Sequence, residues 1–189
     1  TVLVAAPPAS KKWAIAPQFD DGDYFFDKRA RAVKDGKAGF IGIDGQWIIQ
    51  PSYEQAQRFS EGLAAVSNRR LCGFVDGTGQ VVVPLKFQDA RSFSEGLAAA
   101  ALGQRYGFID KEGKWVIQPQ YESAEEIHDG LAAVSKDDRF GFIDRTGKMV
   151  IPFQFDEARP FSDGLAEVRI DEKWGYVNAQ GKYVWAPSD

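Results

Sequence analysis

Residues 96–124 read Gly96-Leu97-Ala98-Ala99-Ala100-Ala101-Leu102-Gly103-Gln104-Arg105-Tyr106-Gly107-Phe108-Ile109-Asp110-Lys111-Glu112-Gly113-Lys114-Trp115-Val116-Ile117-Gln118-Pro119-Gln120-Tyr121-Glu122-Ser123-Ala124. Three short apolar runs stand out. Segment a covers residues 97–101, segment b residues 107–110 and segment c residues 114–117, and Gly, Asp or Pro bounds each of them. A helix needs roughly ten or more residues without a breaker, so runs this short and this punctuated predict strands.

Moving outward, the same unit recurs. Gly followed by an aromatic occurs at Gly39-Phe40, Gly73-Phe74, Gly107-Phe108, Gly141-Phe142 and Gly175-Tyr176, each step being 34 residues. Gly62-Leu63-Ala64, Gly96-Leu97-Ala98, Gly130-Leu131-Ala132 and Gly164-Leu165-Ala166 keep the same interval, as do Ala56, Ala90, Ala124 and Ala158. Several independent series in one register define a tandem array.

The b–c junctions carry turn chemistry. Asp76-Gly77-Thr78-Gly79, Asp110-Lys111-Glu112-Gly113 and Asp144-Arg145-Thr146-Gly147 share a leading Asp and a closing Gly, with Asn178-Ala179-Gln180-Gly181 as the amide version. Asp or Asn at the first position bonds the backbone ahead of it, and Gly at the fourth accepts positive φ, so b and c are expected to pair as a hairpin. Gly42-Ile43-Asp44-Gly45 lacks the leading Asp and is expected to turn differently. Strand alternation places Trp115 and Ile117 on one side of segment c and Val116 on the other, and likewise at Trp47/Ile49, Val81/Val83, Met149/Ile151 and Tyr183/Trp185. Both faces are largely apolar, so units stack on both sides. The small residues of segment a admit a close neighbour.

The expected fold is therefore all-β: tandem units of about 34 residues, three short antiparallel strands each, in an open, twisted array, with a closed propeller-like ring as the alternative. The stretch Lys12-Trp13-Ala14-Ile15-Ala16-Pro17-Gln18-Phe19-Asp20 matches segment c and its connector, so the array begins partway through a unit, while the last unit keeps its own segment c. A ring closed by a shared unit would leave that last segment missing. Residues 1–12 read as a linker or trimmed signal remnant, 13–185 as the repeat domain and 186–189 as a tail.

The bulk properties exclude several functions. Lys and Arg total 23 against 27 Asp and Glu, interspersed along the chain, which argues against a nucleic-acid clamp or polybasic membrane anchor. One Cys and one His leave a disulfide framework, a Cys-His zinc site or a Ser-His-Asp triad almost nothing to draw on. No run of about 20 apolar residues is present for membrane insertion. The Asp-x-x-Gly turns lack the ligand density of a calcium loop. The recurring acids Glu61, Glu95, Asp129 and Asp163 read as turn hydrogen bonding and not as glycosidase carboxylates, because recurrence at one point of every unit marks service to the fold. His128, standing where other units carry Ser60, Ser94 and Ser162, reads as drift at a turn, and Cys72 as a semi-buried small hydrophobe. No cofactor and no catalytic residue is expected.

At Lys173-Trp174-Gly175-Tyr176-Val177 the chain resembles the WG (KWG) repeat family of bacteria. The acidic-Gly-Leu-Ala start, the Gly-aromatic-Ile-Asp strand and the connector Pro119-Gln120-Tyr121-Glu122-Ser123-Ala124 carry the resemblance from about residue 13 to 185. Only the last copy has Trp before Gly; the others carry Ala38, Cys72, Tyr106 and Phe140. The resemblance implies a binding or structural repeat without catalytic residues, in periplasmic or secreted settings more than cytoplasmic ones, with a cognate effector or toxin as one partner.

Residues that depart from the template are where a particular function would sit. The loops joining a to b vary most, and adjacent units line them up along one edge. Arg and aromatic side chains dominate interface energetics, so Arg69, Arg70, Arg105, Tyr106, Arg139 and Trp174 form the candidate set for contact with another protein. The connector, with Arg58, Arg91, Glu125 and Arg159, is a second candidate edge. An aromatic content of 13%, including five Trp, motivates the alternative of a cell-envelope or carbohydrate-binding module.

Overall fold

A computed structural model of the chain describes residues 15, 18–26 and 28–185. The expectations for residues 1–12, for Trp13 and for the tail 186–189 lie outside these. Every described element is a strand, and the strands form five separate four-stranded antiparallel sheets. Sheet 1 is β1 (Asp21–Gly22), β2 (Arg29–Lys34), β3 (Lys37–Gly42) and β4 (Trp47–Tyr53). Sheet 2 is β5 (Gln55–Ala56), β6 (Leu63–Asn68), β7 (Leu71–Asp76) and β8 (Val81–Phe87). Sheet 3 is β9 (Asp89–Ala90), β10 (Ala98–Leu102), β11 (Arg105–Ile109) and β12 (Trp115–Tyr121). Sheet 4 is β13 (Ser123–Ala124), β14 (Leu131–Lys136), β15 (Arg139–Asp144) and β16 (Met149–Phe155). Sheet 5 is β17 (Glu157–Ala158), β18 (Leu165–Ile170), β19 (Lys173–Asn178) and β20 (Tyr183–Trp185).

Segments a, b and c are thus strands in every unit, and the connector contributes a fourth, two-residue strand on the far side of a. Segment c also runs longer than its apolar run suggests. In sheets 1 to 4 it passes through its Pro, which an edge strand tolerates because the missing N–H faces away from the ladder.

The sheets stack in chain order as an open array, none of them closing into a barrel. The forward face of each sheet, toward its C-terminal neighbour, meets the rear face of the next. Leu63, Ala65, Phe74 and Val83 of sheet 2 pack on Ala98, Ala100 and Ile109 of sheet 3, with Phe87, Ala90 and Phe93 from the connector between them. Thirty-four residues on, Leu97, Ala99, Phe108 and Ile117 meet Ala132, Val134 and Ile143. Sheet 4 presents Leu131, Ala133, Phe142 and Ile151 to Ala166, Val168 and Val177. Phe74, Phe108 and Phe142 are fully buried. The alanines of β10 are buried on both faces, which explains why segment a is small: it has a packed sheet on either side.

One orientation differs from simple alternation. In sheet 3, Phe108 pairs with Ile117 but Ile109 with Trp115, so Val116 is an extra residue in β12, and the same shift occurs in the other sheets. Such a bulge breaks the period of two. Ile117 therefore enters the core with sheet 4, whereas Trp115 packs in the core with sheet 2, edge-on to Phe87 at 5.5 Å. A second shift follows, between Tyr106 and Phe108. There β12 crosses so near Gly107 that a Cβ would lie 2.3 Å from the Ile117 carbonyl oxygen, and Gly39, Gly73 and Gly141 meet β4, β8 and β16 at 2.5–2.6 Å. The Gly before each of these four aromatics exists for this close approach.

The b–c turns form as their sequences require. Asp110 Oδ1 accepts the amides of Glu112 and Lys114, and the Gly113 amide donates back to the Asp110 carbonyl at 2.9 Å. In the first unit Gly45 makes the same backbone bond to Gly42, with Asp44 capping the Gln46 amide. The turn is kept and only its cap moves. Gly113 also touches Val83 of the preceding sheet, where a Cβ would come within 2.7 Å.

Polar ladders tie the sheets together. The carboxylate of Glu61 accepts the Gly96 amide, Glu95 accepts that of Gly130, and Asp129 accepts that of Gly164 at 2.8 Å. Ser60 Oγ donates to the Phe93 carbonyl at 2.6 Å and Ser94 Oγ to that of Ile127 at 2.5 Å. Glu61, Glu95 and Asp129 are thus hydrogen-bonding groups of turns, as the recurrence indicated, but the turn each one serves belongs to the next unit.

Candidate functional site

The a–b loops are two-residue hairpin turns. Asn68 pairs with Leu71, and Arg69 and Arg70 between them have φ of 50° and 63°. Asp137-Asp138 and Asp171-Glu172 repeat the geometry, with both φ values positive in each pair. This is the mirror-image turn that matches strand twist, and it normally selects Gly or Asn. Holding full side chains there costs on the order of 1 kcal/mol per residue.

A recurring side chain offsets that cost. Asp20, Glu54, Gln88, Glu122 and Asp156, one per unit, accept the amide of Asp35, Arg69, Gly103, Asp138 and Asp171 respectively, at 2.6, 3.0, 2.7, 3.2 and 2.8 Å. This is the acid of the connector motif, replaced in one unit by the amide of Gln88, and its task is to staple the hairpin tip of its own unit. Sequence reasoning places it in the family signature without giving it a role. Its fixed offset of about 15 residues from each variable turn was the available signal.

The backbone of each tip is therefore fixed while its side chains change. The tips read Asp35-Gly36, Arg69-Arg70, Gly103-Gln104, Asp137-Asp138 and Asp171-Glu172, passing from a dicationic tip in sheet 2 to diacidic tips in sheets 4 and 5. Arg69 and Arg70 are exposed, and Arg69 lines a recess of about 510 Å³ together with Lys37, Glu54 and Leu71.

The other candidates are engaged within the chain. Arg105 pairs with Glu122 at 3.2 Å, and Arg139 pairs with Asp156. Both arginines thus reach the staple of the following connector. Tyr106 is half-buried and its hydroxyl donates to Asp89 Oδ2 at 2.7 Å; burial and that charged acceptor push its pKa up to about 12. Trp174 is 38% exposed, with the Arg159 guanidinium 4.7 Å and the Arg169 guanidinium 6.0 Å from its ring centre. On the connector edge, Arg91 bonds Glu125 of the next unit at 3.2 Å, Arg159 bonds Glu167, and Arg58 is exposed.

The reactive residue types are quiet. Burial raises the pKa of the Cys72 thiol, with Asp89 adding to the shift, which disfavours the thiolate a nucleophile needs. His128 Nε2 lies 3.6 Å from Glu126. Among the described residues, no three His, Cys, Asp or Glu side chains gather where they would hold a metal ion, and no helix is long and apolar enough to cross a membrane.

These features define a β-repeat protein whose units differ chiefly at their tips. The family model of the WG containing repeat matches residues 9–37, 39–71, 73–105, 106–139 and 140–174, and the chain belongs to that family. No curated protein matches it in sequence. Among solved structures it is similar to Kluyveromyces lactis Hsv2p, at 11% identity and TM-score 0.59, over 87% of this chain and 61% of that one. It is also similar to a eukaryotic initiation factor, at 14% identity and TM-score 0.57, over 95% and 57%, and to BamB from Moraxella catarrhalis, at 12% identity and TM-score 0.53, over 85% and 58%. The chain spans about three fifths of the length of these structures, and identities this low speak to the fold alone. An all-β repeat scaffold of this family suggests a non-catalytic protein.

Proposed function

We propose that the chain is a non-catalytic scaffold that binds another protein along the row of a–b tips, with Arg69, Arg70 and the acidic pairs Asp137-Asp138 and Asp171-Glu172 as its principal contacts. Arg105, Tyr106, Arg139 and Trp174 flank the row. One observation carries this reading: each tip is held rigid by an acceptor that recurs, yet displays side chains that do not. Rigid display lowers the ordering cost of association, and the change of charge along the row gives orientation and selectivity.

The test is affinity capture with the full chain from its native host, followed by titration of the purified partner. The double variant Arg69→Glu, Arg70→Glu is expected to weaken binding at least about tenfold and to flatten its salt dependence. Affinity unchanged by this variant and by charge reversal at Asp171 and Glu172 would remove the edge from consideration.

A further inference from the structure

Sheet 2 departs from the repeat at two places that belong together. The residue that opens β3, β11 and β15 is a base, and each time it meets the acid 17 residues further on. Lys37 lies 3.9 Å from Glu54, Arg105 lies 3.2 Å from Glu122, and Arg139 pairs with Asp156. In sheet 2 the same two places hold Leu71 and Gln88. Base and acid are exchanged together, one for an aliphatic side chain and one for an amide. The hydrogen bond that serves the fold survives, because Gln88 Oε1 still accepts the Gly103 amide at 2.7 Å. Only the charge pair is given up.

The exchange shapes the recess of about 510 Å³ between sheets 1 and 2. Leu71 and Leu85, both half-buried, give it an apolar wall, Ser52 and Asn68 add polar groups, and Lys37 and Arg69 add positive charge. Glu54 is already committed: one carboxylate oxygen accepts the Arg69 amide at 3.0 Å and the other faces Lys37. Among the described residues, neither the Arg69 nor the Arg70 guanidinium has a carboxylate partner, unlike those of Arg105 and Arg139. Lys37, Arg69 and Arg70 against Glu54 leave this spot positive on a chain of net charge -4. The complement is an extended acidic segment that carries an apolar side chain. Its carboxylates are drawn to the tip, and its apolar group leaves water against the two leucines. Its backbone can follow β4, the edge strand of sheet 1, whose N–H and C=O groups suit an extended chain. A membrane surface or a nucleic acid would use the charge alone and leave the leucines idle.

We propose that the recess beside the Arg69-Arg70 tip binds an acidic peptide segment of the partner. One aliphatic side chain of the segment packs against Leu71 and Leu85, and the flanking carboxylates meet Arg69, Arg70 and Lys37. This rests on the reading of the tips as a protein-binding row and names the partner's chemistry at one of them.

The test is calorimetric titration of the full chain with the blocked peptide Ser-Gly-Asp-Glu-Leu-Glu-Asp-Gly-Ser. A second version carries Ser for the central Leu, and a third carries amides for the acids; heparin and phosphatidylglycerol vesicles are the other anionic probes. The first peptide is expected to bind one-to-one with Kd on the order of 0.1–1 mM, and both altered versions at least about tenfold more weakly. The decisive variant is Leu71→Arg with Gln88→Glu, which copies the pair of the next two units and keeps the net charge. It is expected to fold as the wild type does, checked by melting curves, and to lose affinity for the peptide at least about tenfold. Val116→Thr, on the exposed edge of sheet 3, leaves the affinity unchanged. Three results would overturn the proposal: no peptide binding up to about 10 mM, equal binding of the Ser version or by the folded double variant, or heparin or vesicles binding where the peptide does not. Failure of the scaffold itself is told apart by the captured partner. A partner weakened by Arg69→Glu, Arg70→Glu, on a chain that ignores the peptide, keeps the scaffold and sinks this inference. Peptide binding as expected, with a captured partner indifferent to every tip, upholds the recess and sinks the row.

Discussion

Replacing Gly107 by Ala adds one methyl group at the point where β11 and β12 cross most closely. The new Cβ would sit 2.3 Å from the Ile117 carbonyl oxygen, 2.8 Å from the Pro119 nitrogen and 2.9 Å from the Gln118 carbonyl carbon. All three are backbone atoms of one strand, so no rotamer change relieves the clash. β12 must move by about 1 Å to restore ordinary van der Waals separation. That movement displaces Phe108 and Ile117, both in the core shared with sheet 4. Overpacking a core costs about 1–3 kcal/mol where side chains can adjust, and a backbone collision belongs at or above the top of that range, about 3 kcal/mol. Gly103→Ala provides the reference. Its site has φ +64°, and a methyl group there would meet nothing within 4 Å, so the substitution incurs only the left-handed penalty of about 1 kcal/mol. Urea unfolding followed by circular dichroism measures both. If Gly107→Ala cost no more than Gly103→Ala, within about 0.5 kcal/mol, the close approach would not be the reason for Gly in this motif.

Two further outcomes follow from the ladders and turns. His128→Ser restores the hydroxyl that Ser60 and Ser94 use to bond the connector of the next unit, here the Phe161 carbonyl; a gain of about 1 kcal/mol, or about 2–4 °C in Tm, is expected, and a fall in Tm would contradict the ladder. The carboxyl of Asp144 is held below its ordinary value of 3.8, chiefly by the Thr146 hydroxyl, which with the amides of Thr146 and Lys148 and the Lys148 charge outweighs the opposing cost of burial. A folded-state pKa below the unfolded one means that the unfolded chain binds the extra proton, so this stabilisation is complete above the ordinary carboxylate range and fades as pH falls through the lowered value. Asp144→Asn keeps the acceptor, as Asn178 does in the same turn. Its stability should match the wild type at pH 7 and decline less on acid titration followed by thermal melts; equal acid sensitivity would count against this role for the carboxylate.

The fold was legible because its signals are redundant. Each apolar run is short, each is punctuated, and the 34-residue interval lets one unit check another. What escaped had no periodic signature of its own kind. The two-residue strands such as Asp89–Ala90 are too short to alternate. The bulge at Val116 inverts the side of Trp115, and nothing in Lys114-Trp115-Val116-Ile117 marks the extra residue, because all its neighbours are apolar. Of the candidate contacts, Arg69 and Arg70 stand exposed as the loop reading expects, whereas Arg105 and Arg139 find carboxylates 17 residues further on. That separation joins two elements paired across a sheet, and a register must be known before it becomes visible.

Comparing units within one chain does the work that comparing proteins usually does, and it sorts residues into two kinds. Glu61, Ser60 and Glu54 belong to series that recur, and each accepts or donates a hydrogen bond that orients a turn or a neighbour. Arg69, Asp171 and Glu167 break their series. The first two do so on tips whose backbone the recurring residues already hold, so a change of charge there costs the array almost nothing. Glu167 breaks its series at a position that is buried in three other sheets, as Arg31 does at the same point of sheet 1, where Asp21 and Asp23 match its charge. Arg159 is at hand to match the charge of Glu167. Variation at the tips is therefore physically cheap, and a charge on a stacking face is accommodated where an opposite charge is placed to meet it.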